Sequence, residues 1–236
     1  MLGAFSALEK DNEKLIAFWN QVFAQSEEES GNELFDPEEL APSKELYLAA
    51  ASMAEHHKVL DYGCGSAWAS IIMAHHGCED ITAADPAKSA VKAALQSMSL
   101  YHMTERIHPV KIDEHWLNTV AEQTYDGIFC SNVLDVIPEE TARDILIQFH
   151  RIAKDDADVI IGMNYYLSPQ TAETKGLELI EGKYLYVDGV LRLVSKTDEE
   201  WKEFFSPYFD VKSLQYFAWP NEKTKTRRLY TLKKKI

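Results

Sequence analysis

Short apolar runs alternate with helically spaced apolar residues through the middle of the chain, residues 58–164. Apolar runs bounded by turn residues are typical of buried strands, and the longer period is typical of helices that pack on them. The pattern therefore predicts βαβ units around a mostly parallel sheet. The predicted strands are residues 58–62, 80–84, 107–112, 127–131 and 159–164, and the predicted helices are residues 66–76, 88–97, 115–122 and 139–152.

Two helices are predicted ahead of the first strand. The apolar residues of segment 5–23 follow helical spacing, which predicts an amphipathic helix whose apolar face must be covered. A polar linker is expected over residues 25–31. A second helix is expected to begin after Ser43, a suitable N-cap, and to end near His56. Residues 1–57 should therefore form a helical cap on the sheet.

The pattern changes again after residue 166. Two β-rich runs within residues 182–195 flank Asp188-Gly189, a strong signal for a two-residue hairpin. Thr197, with Glu200 three positions later, predicts a capping box at the start of a short helix. Two strands should follow over residues 210–219 and 226–233. We expect residues 1–236 to form a single domain with 58–166 as its core, 182–195 as a hairpin cap and 197–236 as its last helix and strands.

Composition narrows the range of partners. A chain of 236 residues with 46% hydrophobic content can bury the core of one α/β domain. Its 38 acidic against 24 basic residues give a net charge of −14, which repels phosphate backbones, so no nucleic-acid partner is expected. The basic residues after Lys223 are the exception. Because Arg227 and Arg228 lie in a strand-like alternation, we favour a structural role for them, and the lysines that follow could protect a sheet edge.

The cysteines and histidines suggest neither disulfides nor metal. Three cysteines without a close pair suit a reducing cytoplasm, and the eight histidines lack the spacing of metal ligands. Neither an export signal nor a run of about eighteen apolar residues is evident, so we expect a cytoplasmic protein without membrane contact.

A glycine-rich turn follows the first predicted strand. Gly63-Cys64-Gly65-Ser66 leads into a helix whose first amide groups can face a polar ligand. Asp85 stands twenty residues after Gly65, at the end of the next strand, where a carboxylate can bind both hydroxyls of a ribose. A dinucleotide-binding loop would require a small residue at the position of Trp68, which argues against an oxidoreductase that uses a nicotinamide or flavin cofactor.

The landmarks resemble those of class I S-adenosylmethionine-dependent methyltransferases. The family's first motif is an acidic residue, any residue, then Gly-x-Gly-x-Gly, and Asp61-Tyr62-Gly63-Cys64-Gly65-Ser66-Ala67 matches it except at Ala67. Later landmarks follow in order as Asp85-Pro86, Ile112-Asp113-Glu114 and residues 125–134. The resemblance implies an α/β, doubly wound, seven-stranded mostly parallel sheet whose last strand is antiparallel, with the N-terminal helical cap and the hairpin added.

The resemblance also implies a set of cofactor contacts for S-adenosylmethionine. Asp61, Gly63, Cys64 and Gly65 would lie near the methionine end, and Ser131 would face the sulfonium. The ribose would bind Asp85, and the adenine would lie near Asp113 and Glu114 between the apolar walls Pro86 and Trp116.

Methyl transfer is an in-line displacement, so holding the acceptor close and excluding water can suffice without a fixed catalytic dyad. If the acceptor carries a proton, the candidate bases and binding groups are Asp135, Asn164 and Tyr165. We expect a small-molecule acceptor under the two caps, because residues 131–134 lack the Asn-Pro-Pro-Tyr-like run of nucleic-acid amino methyltransferases. A module that binds the cofactor without catalysis is the alternative.

Overall fold

The computed structural model describes the backbone of residues 2–29 and 34–236 and the side chains of residues 11–25 and 34–236. The larger sheet contains the strands β1 (Lys58–Tyr62), β2 (Asp80–Asp85), β3 (Ile107–Lys111), β4 (Tyr125–Ser131), β5 (Ala153–Met163), β9 (Phe209–Phe217) and β10 (Arg227–Lys234). A small antiparallel sheet contains β6 (Leu179–Ile180), β7 (Tyr184–Val187) and β8 (Val190–Val194). The helices are α1 (Leu2–Glu29), α2 (Pro37–Leu40), α3 (Lys44–Ser52), α4 (Trp68–His75), α5 (Lys88–Leu100), α6 (Trp116–Thr119), α7 (Glu139–Ile152), α8 (Pro169–Thr174) and α9 (Asp198–Phe205).

The seven strands of the larger sheet follow the order β3-β2-β1-β4-β5-β10-β9. Strands β1 to β5 are parallel, and β10 runs antiparallel between β5 and β9. This arrangement confirms the fold class that the sequence predicts. The strand order reverses between β1 and β4, so their carboxyl ends border the crevice in which such sheets bind ligands.

Helices cover both faces of the sheet. On one face, α7 and α9 bury Phe149, Trp201 and Phe205 against the strands. On the other face, α3 and α4 bury Leu46 and Ile72. Helix α7 presents its buried residues at helical spacing, which is why the predicted bounds 139–152 match it.

Several predicted helices end or begin at other residues than predicted. Helix α1 continues to Glu29, so residues 25–29 are helical rather than a linker, because Gln and Glu are good helix formers despite their polarity. Residues 30 and 31 lie outside the described residues. Helix α6 is one turn rather than residues 115–122, and the Thr119 hydroxyl donates to the Trp116 carbonyl at its end. Helix α3 ends at Ser52, followed by a 3-10 turn, Met53–Glu55.

The predicted hairpin and caps are present. Asp188 and Gly189 both have positive φ, 52° and 73°, as a two-residue turn of this type requires. Ser43 caps α3, and Thr197 with Glu200 forms the capping box of α9. The sequence pattern missed α2, α8 and the third strand of the small sheet, β6. Within the described ranges, no helix is long and apolar enough to cross a membrane.

Helix α1 lies across the carboxyl end of the sheet and is fixed at several points. The side chain of Asn20 accepts the Ser89 backbone N–H at 3.1 Å, so α1 caps the start of α5. Tyr186 of the hairpin donates to Asp11 at 3.3 Å, and the Arg192 guanidinium lies 4.1 Å from the centre of the Phe18 ring. Helix α1 and the hairpin therefore form one connected layer.

Candidate cofactor cleft

The glycine loop after β1 has no room for side chains at two positions. Gly63 and Gly65 have φ of +73° and +54°, values that favour glycine. A Cβ at Gly63 would lie 2.3 Å from a Val133 methyl, and one at Gly65 would lie 2.9 Å from the Phe23 ring. The backbone N–H groups of Gly63 and Cys64 both donate to the Ala84 carbonyl, which fixes the loop to β2. The loop backbone is therefore exposed to the crevice at close range.

Ala67 replaces the family's third glycine and keeps the left-handed conformation that glycine would adopt. Its φ is +63°, and it is fully buried at the N-cap of α4. An alanine in this conformation costs about 1 kcal/mol, which a folded domain can tolerate. The loop thus keeps the shape of the motif, and α4 begins at Trp68, two residues later than the pattern predicts.

Asp61 is buried at the end of β1 and links this strand to α4. Its side chain is 3% exposed and accepts a hydrogen bond from the Ser70 hydroxyl at 2.6 Å. Burial raises the pKa of Asp61 to about 7, and the bond from Ser70 opposes that rise. Asp61 lines neither cavity described below.

Asp85 links the end of β2 to the glycine loop. One carboxylate oxygen accepts the Gly65 N–H at 3.0 Å, and the other accepts the Ala87 N–H at 2.8 Å. Burial raises the pKa of Asp85, and these two bonds oppose the rise. A carboxylate has about four acceptor sites, so each oxygen retains capacity for a ligand hydroxyl.

Two adjacent cavities form the cleft. The first, of about 220 Å³, extends over the glycine loop, and the second, of about 520 Å³, extends towards the end of β3. The two share the lining residues Leu15, Ile16, Gly63, Pro86, Val133 and Ile137. Of the residues expected to contact the cofactor, the first cavity brings together Gly63, Cys64, Gly65, Asp85, Pro86 and Ser131, and the second brings in Asp113 and Glu114.

Trp116 lies apart from these residues. It lines neither cavity, and its half-buried ring packs against the hydrophobic core beside Leu117. Its expected role as an adenine wall gains no support from this position.

Helix α1, part of the N-terminal cap, forms the roof of the cleft. Leu15, Ile16, Trp19 and Phe23 point from one face of α1 into the first cavity. Their helical spacing predicted an apolar face, but nothing local to α1 showed that this face would cover the glycine loop.

The three predicted catalytic candidates lie close together at the ends of β4 and β5. Asp135 is fully buried, and one carboxylate oxygen accepts the Asn164 N–H at 2.6 Å. The Asn164 side chain accepts from Arg227, and the Tyr165 ring lies 5.7 Å from the Arg227 guanidinium. None of the three lines either cavity. Burial raises the pKa of Asp135, and the Asn164 N–H and nearby Arg228 oppose the rise.

Asn132 was not among the predicted site residues, yet it lines the first cavity. It has a φ of +56°, and its backbone N–H donates to the Gly162 carbonyl at 2.8 Å. Within the described part of the chain, its Oδ1 atom and the hydroxyl of neighbouring Ser131 are buried without a hydrogen-bond partner. Asparagine adopts a positive φ more often than most other residues. This property could have pointed to Asn132 only after the backbone conformation was known.

The cleft fits an adenosine cofactor with a cationic end. Glycines that would clash if they carried a Cβ let a ligand approach the loop, and Asp85 stands beside them. Ser131 offers an unpartnered buried hydroxyl at the other side of the first cavity, as judged from the described residues. Among those residues, no group of three His, Cys, Asp or Glu side chains could hold a metal ion.

The middle of the chain matches the model of a known protein family. Residues 59–156 match the family model described as a methyltransferase domain. No curated protein sequence matches the chain.

Solved structures with the same fold include two named methyltransferases. The PH0226 protein from Pyrococcus horikoshii OT3 is 15% identical over 80% of this chain and 86% of its own, with a TM-score of 0.62. The 1,6-didemethyltoxoflavin-N1-methyltransferase of Burkholderia thailandensis is 17% identical over 83% and 78%, with a TM-score of 0.60. The magnesium protoporphyrin IX methyltransferase of Synechocystis PCC 6803 is 16% identical over 81% and 83%, with a TM-score of 0.61.

The doubly wound sheet, its glycine loop and the carboxylate that ends β2 define a protein that binds a nucleoside-containing cofactor. The match of residues 59–156 to a methyltransferase domain identifies which one, and it supports the class I S-adenosylmethionine-dependent methyltransferase family. S-adenosylmethionine is its cofactor, and the resemblance seen in the sequence is confirmed.

Proposed function

We propose that this enzyme, with residues 1–236 acting as one domain, methylates a small molecule that enters the crevice beside the glycine loop. The observation that carries the proposal is the first cavity, which is bounded by the loop, the end of β4 and the apolar face of α1. The lining of this half-open pocket is mostly apolar, as the lining of small-molecule sites is.

Each side of the cleft has a proposed part in holding the cofactor. Asp85 binds the ribose hydroxyls, and Asp113 and the Glu114 amide bind the adenine edge beside Pro86. Gly63, Cys64 and Gly65 receive the methionine end, with Asp61 beneath them and Ser131 opposite. When bound, the cofactor supplies a methyl group on a positively charged sulfur.

The residues of this chain contribute mainly by position. Trp19 and Phe23 cover the loop and exclude water, which favours an in-line displacement between neutral and cationic partners. The bound cofactor would supply the methyl group to the acceptor's lone pair, and any proton of the acceptor would leave to solvent. Asn164 and Tyr165 line neither cavity and are proposed to border the part of the acceptor that extends towards the end of β5, where Asp135 positions Asn164 through its N–H.

Charge favours a small molecule over nucleic acid. The chain carries a net charge of −14, and the first fifty residues contain eleven acidic and three basic residues. Arg227 and Arg228, in the basic C-terminal segment, are 6% and 1% exposed. Their guanidinium groups are therefore not available to phosphates. Phosphate-driven binding would need exposed cations.

The test measures both cofactor binding and transfer. Calorimetry with S-adenosylhomocysteine should show one site per chain, with NADH as the comparison ligand. Release of S-adenosylhomocysteine from S-adenosylmethionine is then measured with a panel of phenols, arylamines, N-heterocycles, thiols and carboxylates, and with RNA and DNA. Turnover of one small-molecule class supports the proposal. Salt-sensitive turnover of nucleic acid, or cofactor binding with no turnover of any class, would overturn it.

A further inference from the structure

Helix α5 begins without a cap from its own sequence. Its N-cap residue is Ala87, whose side chain accepts no hydrogen bond, although the first amide groups of a helix need acceptors. The acceptor comes from α1. The Asn20 Oδ1 atom accepts the Ser89 backbone N–H at 3.1 Å, and the Ser89 hydroxyl donates to the Asn20 backbone carbonyl at 2.7 Å. Asn20 therefore caps α5 from a different helix, 69 residues earlier in the chain.

The capped end of α5 directly follows Asp85, the carboxylate that is proposed to bind the ribose. One Asp85 oxygen accepts the Ala87 N–H, and the other accepts the Gly65 N–H. Helix α1 contacts both sides of this arrangement. Asn20 binds the first turn of α5, and Phe23 lies against Gly65, where a Cβ would come within 2.9 Å of its ring. The position of α1 and the arrangement around Asp85 are thus linked through two contacts.

Helix α1 buries little of its surface. Among the α1 side chains that the structure describes, residues 11–25, Leu15 is the only buried one. Packing therefore holds this helix weakly, and a segment of this kind can open locally at a low cost in free energy. Trp19 and Phe23, which line the first cavity, lie on either side of Asn20 in the helix. The junction at Asn20 consequently decides how firmly these two rings are held over the glycine loop.

We propose that Asn20 is a positioning residue that fastens the roof of the cleft to the start of α5 and so keeps the bound cofactor enclosed. This inference rests on the proposed binding of the ribose by Asp85. Asn20 lines neither cavity, so it acts through Ser89 and not by contact with the cofactor. When the junction opens, the roof and the start of α5 are released together. The apparent affinity for the cofactor then falls with the fraction of the protein that is closed.

Stopped-flow measurements with S-adenosylhomocysteine test this role, because Trp19 and Trp68 line the first cavity and can report binding by fluorescence. Asn20→Ala removes the cap, and alanine keeps α1 helical. The dissociation rate constant should rise about fivefold, as expected for the loss of one helix cap, and the affinity from calorimetry should fall by the same factor. Asn20→Asp keeps an acceptor oxygen at the helix N-terminus and should stay within about twofold of the parent.

A matched control and a second background separate positioning from general destabilisation. Gln21→Ala removes an exposed amide at the next position of α1 and should change neither the dissociation rate constant nor the affinity. Because Asn20 is proposed to act through the segment that holds Asp85, its effect should shrink below about twofold when Asp85→Ala is already present. A purely structural role would weaken S-adenosylhomocysteine binding by the same factor in both backgrounds.

Three results would overturn the inference: an unchanged dissociation rate constant in Asn20→Ala, an Asn20→Asp variant that releases the ligand as fast as Asn20→Ala, or equal factors in the two backgrounds. If Asp85→Ala binds S-adenosylhomocysteine as the parent does, the ribose assignment fails and this inference fails with it. If Asp85→Ala weakens binding and Asn20→Ala does not, only this inference fails. Turnover of acceptors is measured separately, so the proposed small-molecule acceptor stands or falls on its own test.

Discussion

Asp135 and Arg228 hold the backbone of Asn164 from opposite sides. Asp135 accepts the Asn164 N–H at 2.6 Å, and the Arg228 Nε–H donates to the Asn164 carbonyl at 2.9 Å. Arg228 is 1% exposed and also donates to the Lys196 carbonyl at 2.7 Å. The end of β5, the loop after β4 and the start of β10 are thereby joined at one residue.

This junction predicts that Arg228→Met lowers the free energy of unfolding by about 3 kcal/mol, because it leaves buried carbonyls and a buried carboxylate without their cation. Urea unfolding measures the loss. Lys233→Met in the same strand removes a half-exposed pair with Asp158 and should cost less than about 1 kcal/mol. Equal losses for the two variants would contradict the assigned role.

Asp61 predicts a pH dependence of stability in the absence of cofactor. Its pKa rises from 3.8 to about 7 on folding, so the folded chain binds this proton more tightly than the unfolded chain. The stability that the protonated form contributes is therefore lost as pH rises towards and through 7. Between pH 5.5 and 7.5, the unfolding free energy should fall more for the parent than for Asp61→Asn.

Ser70→Ala is the matched variant for that measurement. The Ser70 hydroxyl holds the pKa of Asp61 down, so its removal should shift the falling part of the curve to higher pH. Parallel curves for the parent and Asp61→Asn would show that Asp61 does not titrate in this range.

Asp85→Ala should weaken S-adenosylhomocysteine binding at least tenfold while the fold is retained. A charge-assisted hydrogen bond contributes roughly 1.5–3 kcal/mol, and Asp85 is proposed to make two to the ribose. Calorimetry measures the affinity, and circular dichroism checks the fold. Asp80→Asn, at the other end of β2, is the control and should bind as the parent does. Unchanged affinity for Asp85→Ala would remove Asp85 from the ribose.

Ala67→Gly should raise the free energy of unfolding by up to about 1 kcal/mol, because it relieves the left-handed strain at φ +63°. Ala69→Gly, two residues later inside α4, should instead lower it by about 1 kcal/mol, as glycine does in a helix. Chemical denaturation of both variants gives the comparison. A destabilising Ala67→Gly would mean that buried packing of the methyl group outweighs the strain.

Strand positions and the glycine loop were predictable because the forces that set them are local. Apolar runs of four to eight residues specify buried strands, and a Gly-x-Gly directly after one specifies a turn that a ligand can approach. The predicted strand 58–62 coincides with β1, and Asp85 does end β2. The Asp188-Gly189 hairpin and the Thr197 capping box were predictable for the same reason, since each depends on residues within a few positions.

Tertiary structure alone decided which distant side chains meet. The apolar face of α1 was visible in the sequence, but its position over Gly65 depends on contacts with α5 and the hairpin. The alternation around Arg227 and Arg228 predicted a strand, but the burial of both arginines depends on the position of β10 between β5 and β9. The unpartnered Asn132 amide could be recognised only once the backbone around it was placed. The sequence alone determined the fold class and the cofactor loop, because both follow from local patterns. Burial and hydrogen-bond partners are properties of the packed chain. Only the tertiary structure therefore decided which residues cover the cleft and which polar atoms lie in it.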